Sequence, residues 1–211
     1  MQQVYARVLA VLVLAGALVA CGGNGDGPQK VGEAGGLATY EVESSGFSIG
    51  VPTDWRVLTA DEVFSDEALD SMRDADPKLE PILDAMSAPD SPFKLIAADP
   101  SPDDDFATNS NVVVEDVPSG VTREDYFEAS TAQFEEFDVT DLAEERVALP
   151  AGAAMRSTFE HSLGVDEPLA VLQYVLLGNE TGYTLTYTTL PEAFESRLDE
   201  FKRSAPSFRI D

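Results

Sequence analysis

The 211-residue chain contains one cysteine, Cys21, and one histidine, His161. A single cysteine cannot form an intramolecular disulfide, so the folded part has to be stabilised by its hydrophobic core. A single histidine also excludes metal sites built from several His and Cys ligands. The aspartates at Asp103–Asp105 lack the alternating ligands, the glycine and the final glutamate of a calcium loop. We therefore predict neither a metal site nor a cofactor.

Basic residues are scarce as well. The chain has 13 Lys and Arg against 39 Asp and Glu, a formal net charge of −26. This imbalance excludes nucleic acid as a partner, because phosphates would be repelled. It permits a cationic partner without implying one, and acids spread over helix faces and loops keep a folded domain in solution.

No hydrophobic run is long enough for a transmembrane helix. The longest, Val8–Ala20, has 13 residues, whereas a membrane span needs about 20. Arg7 precedes the run and small residues end it, which is the layout of a secretory signal peptide over residues 1–20. Export of the rest of the chain is therefore expected.

The end of this leader, Leu18-Val19-Ala20-Cys21, resembles the bacterial lipobox. The resemblance implies cleavage before Cys21 and attachment of diacylglycerol to its sulfur. Two or more acyl chains would then hold the protein stably on the extracellular face of the cell membrane. The alternative is an ordinary secretory signal followed by an incidental cysteine. After cleavage the chain retains 12 basic and 39 acidic residues, a charge of −27.

Glycine is concentrated directly after Cys21. Seven of the fifteen residues from Gly22 to Gly36 are glycine, a composition typical of a flexible tether. Residues 37–211 then form a single domain, which is long enough to build one substantial core.

Periodicity within residues 37–211 predicts a mixture of strands and helices. Leu169–Leu177 is apolar on both faces, so it should be a central strand covered from both sides. Short turns in the second half indicate antiparallel pairing. We therefore predict an α+β fold in which helices cover both faces of an antiparallel β-sheet. The predicted strands are 38–44, 46–51, 93–98, 111–117, 139–149, 153–163, 169–177 and 183–190; the predicted helices run from Thr122 to about Phe137 and from Thr189 to Ala205.

The acidic segment from Asp61 to Ala88 has apolar residues at helical spacing and is interrupted by Asp76-Pro77. It predicts two short amphipathic helices. Their apolar faces either pack on the sheet or form a lid over a small apolar or lipid ligand, since methionine adapts to irregular partners. In the second case the ligand or partner surface would include Met72, Leu79, Ile82 and Met86.

A formal G-x-S-x-G motif at residues 46–50 raises the possibility of a serine hydrolase, with Ser48 as nucleophile and His161 as base. The nucleophile of such enzymes lies on a sharp strand-to-helix turn. Ser48 instead lies inside an alternating strand that runs into Val51-Pro52. His161 shares a strand face with Phe159 and is better explained as a packed or rim residue. We therefore predict no catalysis, and keep the hydrolase as a less favoured alternative.

Several short motifs resemble the Mog1/PsbP-like superfamily, and in particular its actinobacterial surface lipoproteins. They are Phe47-Ser48-Ile49 followed by Val51-Pro52 and Trp55, a helix after Thr122, the strand start Tyr183-Thr184-Leu185, and a final helix followed by Ser207-Phe208-Arg209. The resemblance implies an α/β/α sandwich used for binding and assembly, without a shared set of catalytic residues. We expect a monomeric, membrane-anchored extracytoplasmic binding or scaffold module, whose partner is a protein or a small ligand.

Overall fold

A computed structural model describes residues 27–58, 91–101, 106–135, 137, 139–162 and 168–211. The strands are β1 Gln29–Ala34, β2 Leu37–Val42, β3 Phe47–Pro52, β4 Arg56–Leu58, β5 Phe93–Ala98, β6 Asn109–Asp116, β7 Thr140–Leu149, β8 Gly152–His161, β9 Leu169–Leu177, β10 Thr181–Thr189 and β11 Arg209–Ile210; the α-helices are α1 Arg123–Ala132 and α2 Pro191–Ser204. Short 3-10 helices occupy Glu43–Ser45, Gln133–Glu135 and Ala205–Ser207.

These strands form two sheets, and every pairing in them is antiparallel. The smaller sheet has the order β1-β2-β3-β11, and the larger has the order β4-β5-β6-β10-β9-β8-β7. The last four strands of the larger sheet follow one another along the chain as β7, β8, β9 and β10. The connection between β7 and β8 has two residues and that between β9 and β10 has three, as hairpin connections do. The predicted antiparallel α+β architecture is confirmed.

β9 lies inside the larger sheet, between β10 and β8, and all of its residues except Leu177 are buried. On one face, Leu172, Tyr174 and Leu176 join the main hydrophobic core together with residues of β3 and α2. On the other face, Val175 packs with Tyr126 and Phe127 of α1. Two-sided burial of this apolar strand is confirmed, and the two helices lie on opposite faces of the sheet.

α1 begins where the sequence predicts, and α2 begins two residues after the predicted start at Thr189. Thr122 caps α1 in a capping box with Asp125, which satisfies two backbone amides that the helix would otherwise leave without partners. Pro191 opens α2, because its fixed φ suits the first turn and it has no amide hydrogen to lose. The first helix is shorter than predicted. It ends at Ala132, and the chain continues as a 3-10 turn to Glu135.

The prediction of a flexible tether up to Gly36 is wrong for residues 29–34, which form β1 and pair with β2. Gly35 and Gly36 have φ values of 61° and 79°. Two consecutive residues with positive φ make the tight turn that suits the twist of a β-hairpin. Gly35 and Gly36 therefore form a specific turn, although the high glycine content of the segment suggested an irregular chain. The three-residue strand β4 was also not predicted.

Several sequence predictions lie outside the described residues. They concern the leader, Cys21, the paired helices at 61–88 with Met72, Leu79, Ile82 and Met86, and the aspartates at 103–105. In the described part of the chain, no helix is both long and apolar enough to cross a membrane.

A chain of hydrogen bonds joins the two sheets through the end of α2. The Tyr187 hydroxyl donates to Ser204 Oγ at 2.8 Å, and Ser204 Oγ donates to the Gly50 carbonyl oxygen at 2.6 Å. The Gly50 amide donates to Ser207 Oγ at 2.7 Å, and Ser207 Oγ donates to the Ser204 carbonyl oxygen at 2.5 Å. We call these four residues the serine clasp. Burial raises the pKa of the Tyr187 hydroxyl, so it acts as a donor throughout the ordinary pH range.

Only glycine fits at position 50 of the serine clasp. A Cβ atom there would lie 2.9 Å from Ser207 Oγ and 3.0 Å from Leu37 Cδ1. Both contacts are closer than van der Waals distance, so a side chain would push the end of α2 away from β3. The close approach of these two elements therefore depends on Gly50.

Replacing Ser204 by alanine should lower the free energy of unfolding by about 1–3 kcal/mol, because the Gly50 carbonyl and the Tyr187 hydroxyl would be left buried without this partner. Ser196→Ala on the same helix is the control. Its hydroxyl is exposed, and its loss should change stability by less than about 0.5 kcal/mol. Urea denaturation would measure both. Equal effects of the two substitutions would show that the serine clasp does not stabilise the fold.

Candidate functional site

The two faces of the larger sheet differ in chemistry. Side chains alternate between the faces of a strand, and in β10 Tyr183, Leu185 and Tyr187 lie in the main core. Thr184, Thr186 and Thr188 therefore lie on the opposite face, against which α1 packs. We call this side of the sheet the α1 face. In β10 this face is made of Gly182 and three threonines, and all three threonines are buried.

Polar side chains cross the α1 face in a continuous line. Ser157 of β8 pairs with Gln173 of β9, Gln173 pairs with Thr186 of β10, and Thr186 pairs with Asn111 of β6. We call these four residues the polar row. Each of them is at most 1% exposed. One pair farther along the same face, Thr188 of β10 is opposite Asn109 of β6, and both are fully buried.

The polar row carries hydroxyl and carboxamide groups and no formal charge. Gln173 Nε2 donates to Thr186 Oγ1 at 3.3 Å, which is long for such a bond. Beside it, Thr188 Oγ1 is buried without a hydrogen-bond partner among the described residues. A buried hydroxyl in that situation costs about 1–3 kcal/mol. This face therefore has capacity for polar contacts beyond those in the described part of the fold.

Glu144 of β7 ends the polar row on one side. Its Oε1 atom accepts a hydrogen bond from Ser157 Oγ at 3.4 Å and another from Thr131 Oγ1 of α1 at 2.9 Å. Glu124 of α1 and Arg146 of β7 form a salt bridge. The Arg146 guanidinium also lies 5.7 Å from the centre of the Phe127 ring. Polar contacts thus fix α1 over β7 and β8.

A second carboxylate, Glu115 of β6, lies under the start of α1. The Tyr126 hydroxyl donates to Glu115 Oε1 at 2.7 Å. Burial raises the pKa of Glu115, and the bond from Tyr126 opposes part of that shift. Burial, followed by the charge of Glu115, raises the pKa of Tyr126. Gly182 makes this contact possible, because a Cβ atom there would lie 2.6 Å from Tyr126 Cζ.

His161 ends β8 on the α1 face and is 7% exposed. Its ring meets Phe137 edge-on, with the ring centres 6.1 Å apart. Nearby, Phe134 and Phe159 pack with centres 4.8 Å apart. His161 is thus a packed residue at the aromatic end of this face, as the sequence indicated.

The structure does not bring Ser48 and His161 together. Phe47, Ile49 and Val51 of β3 lie in the main core, so Ser48 points away from it, on the far side of the smaller sheet. His161 points away from the same core on the α1 face of the larger sheet. The core separates the two side chains, and the proposed nucleophile and base cannot share a proton.

The polar row was not predicted from the sequence. The alternation in Tyr183-Thr184-Leu185-Thr186-Tyr187 is visible, but threonines alternating with large apolar residues usually mark the solvent side of a strand. Their burial and their alignment with Gln173 and Asn111 depend on the pairing register. One signal was available: a strand predicted to be central also carried the polar Gln173. Among the described residues, no group of three or more His, Asp or Glu side chains is arranged to hold a metal ion.

The backbone resembles solved structures of low sequence identity. Cyanobacterial PsbP from Synechocystis sp. PCC 6803 aligns with a TM-score of 0.53 at 15% identity, over 93% of this chain and 100% of that one. LpqN, involved in cell envelope biogenesis of Mycobacterium tuberculosis, aligns with a TM-score of 0.51 at 11% identity, over 87% of this chain and 88% of that one. The yeast Ran-binding protein Mog1p, from Saccharomyces cerevisiae, aligns at 6% identity with a TM-score of 0.49, over 82% and 95%.

No protein-family model and no curated protein sequence matches the chain. At identities of 15% and 11%, the resemblance to PsbP and LpqN establishes the fold alone. The PsbP-like fold predicted from the sequence motifs is confirmed.

Replacing Glu115 by glutamine should reduce the loss of folding stability that accompanies rising pH. The folded state raises the pKa of this carboxyl above 4.5, so its stabilising contribution is present below that pH and is lost as the pH rises through the folded-state pKa. Urea denaturation between pH 4 and 7 should therefore show Glu115→Gln gaining stability relative to the wild type as the pH increases.

Glu124→Gln is the matched control for this measurement. Hydrogen bonding to Arg146 lowers the pKa of Glu124, so its contribution is lost as the pH falls, and the trend should be opposite in sign. If the free energy of unfolding of Glu115→Gln depends on pH in the same way as that of the wild type, folding does not raise the pKa of Glu115.

Proposed function

We propose that the protein is a lipid-anchored binding module on the extracellular face of the cell membrane, and that its ligand is a neutral molecule held by hydrogen bonds against the polar row. The proposal has two parts. The leader and Cys21 supply the location, and the α1 face supplies the binding chemistry. We assign no catalytic step to the protein.

The location is supported by the order of signals in the sequence. A charged start, a 13-residue apolar run and small residues lead directly to the only cysteine of the chain. The involvement of LpqN in cell envelope biogenesis agrees with the same setting for a protein of this fold. Attachment through Cys21 would keep the domain at the membrane while leaving all of residues 37–211 outside it.

One observation supports a ligand site on the α1 face. This face is buried and polar, whereas folding alone would favour apolar side chains there. On the core face, β9 and β10 contribute Leu172, Leu176 and Leu185. On the α1 face, the same strands contribute Gln173, Thr186 and Thr188. Burying polar groups opposes folding unless each one is hydrogen-bonded. A ligand that supplies a partner for the Thr188 hydroxyl, which has none among the described residues, would offset part of this cost.

The chemistry of the polar row also limits what the ligand can be. A purely apolar molecule would leave the adjacent Thr188 hydroxyl buried without a partner. An anionic molecule would lose its hydration at a place where the row offers no positive charge. The carboxylate at the end of the row, Glu144, already accepts hydrogen bonds from Ser157 and Thr131. A neutral molecule with several donors and acceptors satisfies both conditions. Such a ligand differs from the small apolar or lipid ligand that the methionines of residues 61–88 suggested.

Native mass spectrometry of the protein extracted from its own membrane would test the proposal. The wild type should carry a non-protein mass in addition to its acyl chains. A double variant, Thr186→Val with Gln173→Leu, keeps similar shapes but removes the polar atoms, and it should lose that mass while remaining folded.

Ser48→Ala is the control, because Ser48 lies on the other sheet, beyond the main core. It should retain the mass of the wild type. If the wild-type protein carries nothing beyond its acyl chains, the proposal that it binds a ligand is wrong. If Ser48→Ala also loses the additional mass, the ligand does not bind specifically at the polar row.

A further inference from the structure

β1 is the first described strand after the predicted anchor, and it adds nothing to the core. All six of its residues are exposed, and Val31 is 56% exposed. Its side chains form one salt bridge within the strand, between Lys30 Nζ and Glu33 Oε2 at 2.9 Å. A salt bridge between exposed side chains contributes little stability. β1 is therefore attached to the domain almost entirely by its backbone.

Three features hold this strand in place. β1 pairs with β2 from Gln29 opposite Glu41 to Ala34 opposite Leu37, with an irregularity between Lys30 and Gly32. The Gly35-Gly36 turn closes the hairpin. The amide of Thr53 donates to the Gly36 carbonyl oxygen at 3.1 Å. This last bond ties the turn to the domain, independently of whether β1 is paired.

The number of residues between Cys21 and the domain limits how far the domain can lie from its anchor, and this number depends on whether β1 is paired. Cys21 and Gln29 are eight residues apart, and a fully extended chain of that length spans about 30 Å. Cys21 and Leu37 are sixteen residues apart, which corresponds to about 55 Å. Pairing of β1 with β2 thus reduces the greatest possible distance between anchor and domain by nearly half.

We propose that β1 is a releasable docking strand that sets how far the domain extends from the membrane. While β1 is paired, the edge of the smaller sheet stays within about 30 Å of the lipidated cysteine. When β1 separates from β2, the domain remains folded, because no core residue leaves, and its reach increases to about 55 Å. Tension on the anchor would act on Gln29 first and would separate the pairs one at a time, up to the turn fixed by Thr53.

This inference rests on the lipid anchor of the proposed function and is independent of the ligand. It also explains why an exposed strand follows the anchor directly. Local separation of an element with few buried contacts requires much less free energy than global unfolding. Reach can therefore change without loss of the folded domain.

The test uses the full lipidated protein in phospholipid vesicles and a variant in which the turn is blocked, Gly35→Val with Gly36→Val. Both glycines have positive φ, a conformation that valine strongly disfavours. Hydrogen exchange should show loss of amide protection in residues 29–34 of the variant, with protection of β9 unchanged.

Energy transfer from the only tryptophan, Trp55, to fluorescent lipid head groups reports the distance of the domain from the membrane. Trp55 is 5% exposed and lies in the main core, so it moves with the domain. Transfer should be lower in the double variant than in the wild type. Gly27→Val is the matched control, because Gly27 lies before β1 and a Cβ atom added there would meet no other atom within 4 Å. Its transfer should equal that of the wild type.

Three results would overturn the proposal, and they are distinguishable. Rapid exchange of residues 29–34 in the wild type would show that β1 does not dock. Equal energy transfer in the wild type and in a variant with unprotected β1 would show that docking does not control reach. Retention of Cys21→Ser on the membrane with unchanged processing would show that the anchor of the proposed function is absent, while protection of β1 would still be measured separately.

Discussion

The serine clasp is the constraint on which the arrangement of layers depends. Tyr187 belongs to the larger sheet, Gly50 to the smaller one, and Ser204 and Ser207 to the end of α2 and the turn after it. Tyr187, Gly50 and Ser204 are buried and Ser207 is partly buried, so the buried polar groups need their partners in place. The stacked rings of Tyr187 and Phe201, 4.8 Å apart, add apolar contact at the same point. The two sheets can therefore enclose the main core in only one relative position.

Fixing the core on one face of the larger sheet leaves the other face to a different role. In β10 the large side chains of Tyr183, Leu185 and Tyr187 point to the core, and Thr184, Thr186 and Thr188 point to the α1 face. The proposed function implies that stability requires only the first set. The second set aligns with Gln173 and Asn111 in the polar row, which is where the proposed ligand would make its hydrogen bonds. Under the proposed function, folding and ligand binding use opposite sides of the same strands.

Local patterns were sufficient for much of the fold. The apolar run of β9 predicted a covered central strand, and the Thr122 capping signal placed the start of α1, because both depend on residues close together in sequence. The polar row depends instead on the register of four strands, which no local pattern contains. β1 was missed because its glycines have the composition of a tether, although Gly35-Gly36 forms a specific turn. For Ser48 the motif was present, and its position within a strand correctly argued against the hydrolase geometry.

The central claim is that the polar row is retained for binding and is not required for folding. Its most direct test is the free energy of unfolding of the ligand-free Thr186→Val, Gln173→Leu double variant, measured beside Leu185→Ala. Replacing both partners of a buried hydrogen bond by apolar groups of similar shape is close to neutral or stabilising, so we expect the double variant to be at least as stable as the wild type. Leu185→Ala on the core face should cost about 2–5 kcal/mol. A comparable loss in the double variant would show that the polar row is a structural network, and would contradict the account.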